Sequence, residues 1–327
     1  MNKEIKEFRE FSRDLYNGTV TEFSVQEAND KLRELIKEMC GGEYNLHAFL
    51  DNKYKIFAVM SELLTVTTSE LSRDVFEPIA EFKDTAFGDR VEFEVENPEL
   101  FEVSVIASGT NDLLRQKLMN GKAKTDGFNM GVKIYNEFTE FMTGRIDWDK
   151  LIEKVAKSFN HKVVEVIGKE WSKAYSTIDS KFKATGTFDA DKFVELAQKI
   201  ASYSPNGTVK VYGSKTALAK IKGREYLADD AKERKEKGYI SLFEGIECVE
   251  LVNSWDKDTD SWALDNNTLF ILPDGQKPLL IGFEGDAIVL DEVEGKRKDM
   301  QLEYFMSRMV HLGVLKSAIY GIYKYNG

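Results

Sequence analysis

The segment of this sequence that most resembles a ligand-binding motif is Gly213-Ser214-Lys215-Thr216. A predicted strand precedes it and a predicted helix follows, which is the arrangement that a phosphate-binding loop requires. A Walker loop, however, has glycine directly before the lysine and a second glycine five positions earlier. Those positions hold Ser214 and Val209 here. A strand-to-helix turn in which Ser214 caps the helix accounts for the motif, so the sequence favours a structural turn over nucleotide binding.

Histidine is the side chain most often used as a general base, and this chain has three, His47, His161 and His311. They are far apart in the sequence and share no ligand spacing, which predicts a surface position or a hydrogen-bonded core position for each. A triad of serine, histidine and aspartate is assembled in space, and that alternative stays open. No Gly-x-Ser-x-Gly segment, the elbow that presents a nucleophilic serine, supports such a triad.

Three aspartates, Asp256, Asp258 and Asp260, alternate in the manner of a calcium-binding loop. The glycine and the bidentate glutamate of an EF-hand do not follow at the required spacing, so solvated loop carboxylates are predicted instead. The two cysteines, Cys40 and Cys248, form no paired motif, and no cysteine and histidine cluster suits zinc. We therefore predict no metal site, no cofactor and no catalytic residues.

Composition limits the class of protein further. With 327 residues and 42% hydrophobic content, the chain can bury a substantial core. Its net charge of −11 argues against a protein that coats nucleic acid by neutralising phosphates. No stretch approaches the ~20 apolar residues of a membrane span, and residues 1–7 lack the apolar run of a signal peptide. A long chain with so little catalytic machinery predicts a structural protein, folded in a reducing cytoplasm, rather than an enzyme.

The strongest pattern in the chain is a pair of alternating segments, 90–96 and 100–106, joined by Asn97-Pro98-Glu99. Period-two alternation places the apolar side chains of a strand on one face and its polar side chains on the other. The short proline-containing loop predicts an antiparallel hairpin. Because an isolated hairpin is marginal in water, we expect its apolar face to bind another copy of the chain. The predicted intersubunit residues of this extended β-loop are Val91, Phe93, Val95, Phe101, Val103 and Val105.

Helical periodicity dominates the regions on either side of this hairpin. The first ~50 residues predict two amphipathic helices that form a peripheral arm, the second ending at Gly41-Gly42. A further apolar segment, 56–66, is also predicted as a helix. The longest element runs from 148 to 178 without a proline, which gives about 45 Å at ~1.5 Å per residue. Gly168 is the position where this helix is expected to soften or bend.

The remainder of the chain mixes short helices and strands. Helices are predicted over 189–201, 215–221 and 225–237. Strands are predicted over 209–212, 246–252, 268–272 and 279–283 and within 300–325. Turns are predicted at Pro273-Asp274-Gly275, between two of these strands, and at Asp126-Gly127, a hairpin signal.

The order of these elements resembles that of the major capsid proteins of tailed bacteriophages, which have the Hong Kong 97 type fold. Segment 209–221, a strand followed by glycine, a small polar residue and an Ala/Leu-rich helix, resembles part of those chains, and so do 269–273 and 277–281. The resemblance covers most of 75–327. It implies an α+β fold with an N-terminal arm, an extended β-hairpin loop, a long spine helix in a peripheral domain, and an axial α/β domain. The implied regions are 1–75 for the N-terminal helical arm, 76–136 for the extended β-loop region, 137–188 for the peripheral domain with the spine helix, 189–270 for the axial domain, and 271–327 for the return strands of the peripheral and axial domains.

The resemblance also implies a function. Such proteins self-assemble into pentamers and hexamers that form an icosahedral shell around double-stranded DNA. The implied partners are copies of the chain itself, a separate scaffolding protein, a portal, and packaged DNA bound without sequence specificity, with no membrane. The implied location is the virion, and the host cytoplasm during assembly. Two alternatives stay open, an encapsulin-like protein shell and a soluble α/β enzyme acting on a small substrate in 189–283.

Overall fold

A computed structural model gives the fold of this protein. It describes residues 46–95, 121–125, 127–137, 148–204, 206–222, 228–256, 260–291, 301–315 and 318–326, with Glu34, Lys37, Glu38, Gly41 and Gly42. The helices described are α1 (Leu46–Phe76), α2 (Trp148–Thr177), α3 (Ala190–Ala201), α4 (Lys215–Leu218) and α5 (Ala228–Glu236). The strands described are β1 (Ala80–Thr85), β2 (Glu92–Val95), β3 (Gly121–Lys124), β4 (Gly127–Glu137), β5 (Lys183–Gly186), β6 (Val209–Gly213), β7 (Leu242–Phe243), β8 (Ile246–Glu250), β9 (Trp255–Asp256), β10 (Ser261–Trp262), β11 (Thr268–Pro273), β12 (Leu279–Asp291), β13 (Gln301–Val314) and β14 (Gly321–Tyr325).

The first long helix, α1, belongs to the core of the molecule. Apolar side chains recur on one of its faces, and Ile56 and Leu64 are fully buried. The helix is longer than the predicted 56–66 because its threonine-rich part stays helical, with the Thr67 and Thr68 hydroxyls donating to carbonyls four residues earlier. A helix buried to this degree is a core element, and the bound of the arm at residue 75 stays a prediction.

The second long helix, α2, confirms the long element predicted from 148 to 178. Gly168 has a packing role, since a Cβ atom at this position would lie 1.9 Å from the carbonyl oxygen of Ala263. The glycine expected to bend the helix therefore allows another segment to approach its backbone closely. The buried side chains along the helix include Ile152, Val155, Phe159, Val163, Ile167 and Trp171.

Helices α1 and α2 pack on one face of a four-stranded sheet with the strand order β1-β12-β13-β4. Strand β1 runs parallel to β12, whereas β13 is antiparallel to both β12 and β4. A register shift between Glu284 and Ile288 interrupts β12. α1 stabilises this irregular stretch, because the Thr65 hydroxyl accepts a hydrogen bond of 2.7 Å from the Ala287 amide. The buried side chains of this core include Ile281, Phe283, Val289, Tyr304, Met306 and Val310.

A second sheet has six strands in the order β5-β14-β11-β6-β8-β7, and α3 packs against it. Asp189 caps α3, as the start of the predicted helix requires, because its carboxylate accepts from the amides of Asp191 and Lys192 at 3.1 and 3.3 Å. Trp171 of α2 stacks on Phe270 of β11, with ring centroids 4.1 Å apart. The long helix is thus packed against both sheets.

The sequence predicts where strands lie better than it predicts which sheet they join. The turn predicted at 273–275 is present, with Gly275 at φ +86°, but it carries the chain from the six-stranded sheet to the four-stranded sheet. The strands predicted within 300–325 are β13 and β14, which also lie in different sheets. The hairpin predicted at Asp126-Gly127 is wrong, because β3 pairs with β2 and β4 pairs with β13.

Strands β2 and β3 form a separate two-stranded antiparallel sheet, which we call the ribbon. Its register pairs Glu92 with Lys124 and Val95 with Gly121. The Glu92 carboxylate lies 3.1 Å from the Lys122 ammonium and 3.7 Å from the Lys124 ammonium, which supports this pairing. The sequence predicts 100–106 as the partner strand, and that segment lies outside the described residues.

The two helices predicted for the arm also lie outside the described residues, except at the end of the second. There the Gly42 amide donates to the Lys37 carbonyl, and the Gly41 amide donates to the Glu38 carbonyl, both at 2.9 Å. Gly41 has φ +82°. This is the hydrogen-bond pattern of a Schellman motif, and it confirms the helix end predicted at Gly41-Gly42.

Candidate functional site

The candidate functional surface is the face of the four-stranded sheet that points away from α1 and α2, which we call the outer face. Side chains at paired positions share a face of a sheet, so the strand registers identify its members. The covered half, against which the ribbon packs, comprises Leu280, Gly282, Glu284, His311, Gly313 and Gly127. The uncovered half, towards the end of β12, carries Ile288, Leu290, Phe305 and Tyr135.

The ribbon packs on the covered half through a small apolar cluster. Val91, Phe93 and Leu280 are 3%, 1% and 2% exposed, and the partly buried Ala123 and Leu315 lie against them. The Phe93 side chain is therefore buried within its own chain. The base of the ribbon belongs to the fold of the single subunit.

Glycines on the outer face make room for the two chain segments that lead into and out of the ribbon. A Cβ atom at Gly282 would lie 2.6 Å from a methyl group of Val91, and one at Gly313 would lie 2.7 Å from the methyl group of Thr125. Real Cβ atoms do not approach so closely, so larger side chains here would displace the ribbon. The absence of side chains at these positions lets the ribbon lie flat on the sheet.

Hydrogen bonds from one pair of side chains, the His311–Glu284 pair, hold both of these segments. His311 Nε2 lies 2.8 Å from Glu284 Oε2, and His311 Nδ1 lies 3.1 Å from the carbonyl oxygen of Thr125, directly after β3. The amide of Gly88, before β2, donates to Glu284 Oε1 at 2.9 Å. Two hydrogen bonds lower the pKa of the Glu284 carboxyl group below its ordinary value. The one with His311 has the larger effect, and the one from Gly88 has the smaller.

The uncovered half of the outer face exposes large apolar side chains to solvent. Ile288, Leu290, Phe305 and Tyr135 are 40%, 49%, 39% and 63% exposed. Leu290 of β12 is paired with Phe305 of β13, so these two side chains are direct cross-strand neighbours. Contiguous apolar groups on a surface mark contacts with another molecule more often than isolated ones do. This half of the sheet is the part of the outer face suited to binding a partner.

The structure places the six residues predicted for the intersubunit contact in three different situations. Val91 and Phe93 are buried against their own sheet, and their contact with another subunit stays a prediction. Val95 is half-buried at the end of β2. Phe101, Val103 and Val105 lie outside the described residues, and their contact with another subunit stays a prediction.

Sequence reasoning missed the apolar residues of the uncovered half, although β12 carried a signal for them. The run from Ala287 to Leu290 is apolar at every position, with Ala287 and Val289 buried and Ile288 and Leu290 exposed. A strand that is apolar on both faces is usually covered on both faces. Here one side is covered by the helices of the same chain.

The other chemical motifs of the sequence have structural roles. Ser214 is buried, and its hydroxyl accepts from the Ala217 amide at 3.3 Å, which confirms the predicted helix cap. The sequence predicts a surface position or a hydrogen-bonded core position for each histidine. His311 has a hydrogen-bonded core position, whereas His47 is exposed and His161 is half-buried. Among the described residues, no group of three or more histidine, cysteine, aspartate or glutamate side chains could hold a metal ion. No helix in the described part of the chain is long and apolar enough to cross a membrane.

A cleft of about 550 Å³ lies on the other side of the sheet, between α1 and the β1 edge, and Arg308 forms part of its lining. The Arg308 guanidinium donates to the Thr65 carbonyl and to the Ser69 hydroxyl of α1. It lies 4.4 Å from the ring centroid of Phe283. Burial lowers the pKa of Arg308 to about 10. This side chain therefore ties β13 to α1.

Comparison with solved structures identifies the fold. The chain matches the structure from Microbacterium phage Oxtober96 with a TM-score of 0.50 and 11% identity, over 78% of this chain and 90% of that chain. It matches the structure described as "Satellite phage P4 procapsid including size determination (Sid) protein" with a TM-score of 0.50 and 10% identity, over 81% and 91% of the two chains. The two-sheet architecture with its long helices is the mixed α and β fold of phage capsid proteins.

A family model matches nearly the whole sequence. The family is described as "SPbeta prophage-derived putative capsid protein YonB", and its model matches residues 7–314. The chain belongs to this family of phage capsid proteins, which confirms the resemblance to phage capsids stated from the sequence. A search of curated proteins found no match. As a capsid protein, the chain is a component of the phage head shell.

Proposed function

We propose that this chain is the major head protein that self-assembles, as pentamers and hexamers, into an icosahedral shell around the double-stranded DNA of a tailed bacteriophage. The family match over residues 7–314 carries this proposal. The protein acts through contacts between its copies and has no catalytic role. It joins the virion after assembly in the host cytoplasm.

We assign the parts of the Hong Kong 97 type fold to the elements described above. We assign α2 as the spine helix, because it is 30 residues long and packs against both sheets. The four-stranded sheet with α1 and α2 is then the peripheral domain, and the six-stranded sheet with α3 is the axial domain. The ribbon is the base of the extended β-loop. Residue boundaries between these domains stay predictions from the sequence.

The uncovered half of the outer face is the surface that we assign to contacts between copies. Burying one fully exposed Leu or Phe side chain is worth about 1.5–3 kcal/mol. Ile288, Leu290, Phe305 and Tyr135 are only partly exposed, so each contributes a fraction of that value. A shell repeats each contact many times, and a modest contribution per subunit is enough to stabilise a particle.

The charge of the chain suits a container for DNA. A net charge of −11 repels phosphate, which keeps packaged DNA mobile. We also propose that the shell assembles around a separate scaffolding protein and on a portal.

Electron microscopy and mass photometry of the purified chain, alone and with its phage's scaffolding protein, test this function. We expect rings of five and six subunits or closed shells. Monomers at every protein and salt concentration, with the scaffold present, would contradict the proposal.

A further inference from the structure

The His311–Glu284 pair connects four separate segments of the chain at one point. β13 supplies His311 and β12 supplies Glu284. The partners of the pair are the Gly88 amide, in the segment that enters the ribbon, and the Thr125 carbonyl, in the segment that leaves it. The two roots of the ribbon are therefore linked to each other through this pair.

The hydrogen-bonding groups around His311 require a particular charge on its ring. The Thr125 carbonyl oxygen can only accept a hydrogen bond, and an ionised Glu284 carboxylate can also only accept. His311 satisfies both partners only as an imidazolium, which donates from Nδ1 and Nε2 at once. A neutral imidazole has one N–H group, so one of the two hydrogen bonds is lost and a nitrogen lone pair then faces an oxygen atom.

Packing holds the ring in this position. A Cβ atom at Gly127 would lie 2.6 Å from His311 Cε1 and Nε2, so the ring rests directly on the backbone of β4. His311 is only 8% exposed, which leaves solvent little access to replace a lost partner. Loss of a hydrogen bond here is therefore costly.

The charged groups on the neighbouring elements leave Glu284 as the acidic partner of the ring. On the ribbon, Lys122 and Lys124 pair with Glu92 at 3.1 and 3.7 Å. On β4, the Lys133 ammonium lies 3.1 Å from the Glu303 carboxylate. On β1, Lys83 is paired with Gly282, and its ammonium donates to the Glu92 carbonyl. Asp89 and Arg90, in the segment that enters the ribbon, are exposed to solvent. Within the described part of the chain, Glu284 is the titratable group at hydrogen-bond distance from His311.

We propose that the His311–Glu284 pair is a proton-dependent clasp. A protonated His311 links both roots of the ribbon to the outer face, and loss of the proton breaks the link between the two roots. The consequence for assembly rests on the proposed function, because the attachment of the ribbon determines where the extended β-loop meets a neighbouring subunit.

The direction of the pH dependence follows from the two groups. Histidine is the side chain that ordinarily changes its charge between about pH 5 and 8, so a comparison of the subunit at pH ~5.5 and at pH ~8 tests the proposed link. Because the pKa of Glu284 is lowered, its hydrogen bonds are present above the ordinary carboxyl range. They are lost only as the pH falls through the lowered value.

Amide hydrogen exchange on the unassembled subunit tests the clasp, with the intrinsic chemical exchange rate at each pH divided out. Peptides that cover 86–95 and 121–125 should be about tenfold better protected at pH ~5.5 than at pH ~8, the effect of one charge-assisted hydrogen bond. The ratio of the protection at pH ~5.5 to the protection at pH ~8 should fall to about one in His311→Gln and in Glu284→Gln. His161→Gln, which changes a half-buried histidine on α2, is the matched control and should keep the parental ratio.

Two results would overturn the clasp. One is a ratio near one in the parental chain, and the other is a tenfold ratio that persists in both clasp variants. If His311→Gln does not fold by circular dichroism, the nearly isosteric Glu284→Gln decides alone. The measurement uses single subunits, so a negative result leaves the proposed shell untouched. Failure to form particles would in turn leave the exchange result standing.

Discussion

The two halves of the outer face lie on the same three strands, yet they are built from opposite kinds of residue. The covered half presents glycines, such as Gly282 and Gly313, beside Leu280, and Val91 and Phe93 pack there. The uncovered half presents Leu290 and Phe305 from the sheet itself. The difference is the one expected if the chain itself covers the first half and a second molecule covers the other, as we propose, because apolar groups on a surface are suited to binding a partner.

Replacement of the buried phenylalanine should have the largest effect on the single subunit. Phe93→Ala removes the centre of the cluster that attaches the ribbon. We expect the free energy of unfolding to fall by about 3 kcal/mol, since Phe→Ala at buried sites costs about 3–5 kcal/mol. Hydrogen exchange should show loss of protection in 91–95 and 121–124, with α2 amides as the internal reference. Unchanged protection would mean that the ribbon is not held by this cluster.

Filling a glycine on the covered half should have an intermediate effect. In Gly282→Ala the new methyl group would lie 2.6 Å from Val91, and overpacking of this kind costs about 1–3 kcal/mol. The double variant Gly282→Ala with Val91→Ala should recover part of that loss, because the second change removes the clash. Urea unfolding, monitored by circular dichroism, measures the free energy of unfolding of the single and the double variant. Strictly additive losses would show that the two residues do not touch.

Replacement of the exposed phenylalanine should have the smallest effect on the single subunit. Phe305 lies on the uncovered half of the outer face and is 39% exposed, so Phe305→Ala should lower the free energy of unfolding by about 1 kcal/mol, less than Phe93→Ala. The yield of particles should nevertheless fall, because the side chain is assigned to the contact between copies. A large loss of stability with normal particle yield would reverse the roles that we assign to the two halves.

Much of the local structure follows from the sequence, because it depends on near neighbours in the chain. The helical stripe of α2 and the caps at Asp189 and Ser214 are set by spacing and by side chains a few residues away. The end of the arm helix at Gly41-Gly42 is of the same kind.

The parts that sequence reasoning missed depend on contacts between distant segments. Strand β3, Gly-Lys-Ala-Lys, has no apolar alternation, so its pairing with β2 is set by the tertiary structure. Period-two patterns also do not say which sheet a strand joins, so they predict a hairpin at 126–127 although β3 and β4 lie in different sheets. The pairing of His311 with Glu284 joins residues on two different strands, and no sequence motif predicts it.

The central claim is that the uncovered half of the outer face becomes buried between copies in the shell. Hydroxyl-radical footprinting of single subunits and of purified particles tests it directly. We expect strong labelling of Leu290, Phe305 and Tyr135 in the subunit and protection of all three in the particle, while Phe93 is weakly labelled in both. Equal labelling of the three residues in subunit and particle would contradict the claim.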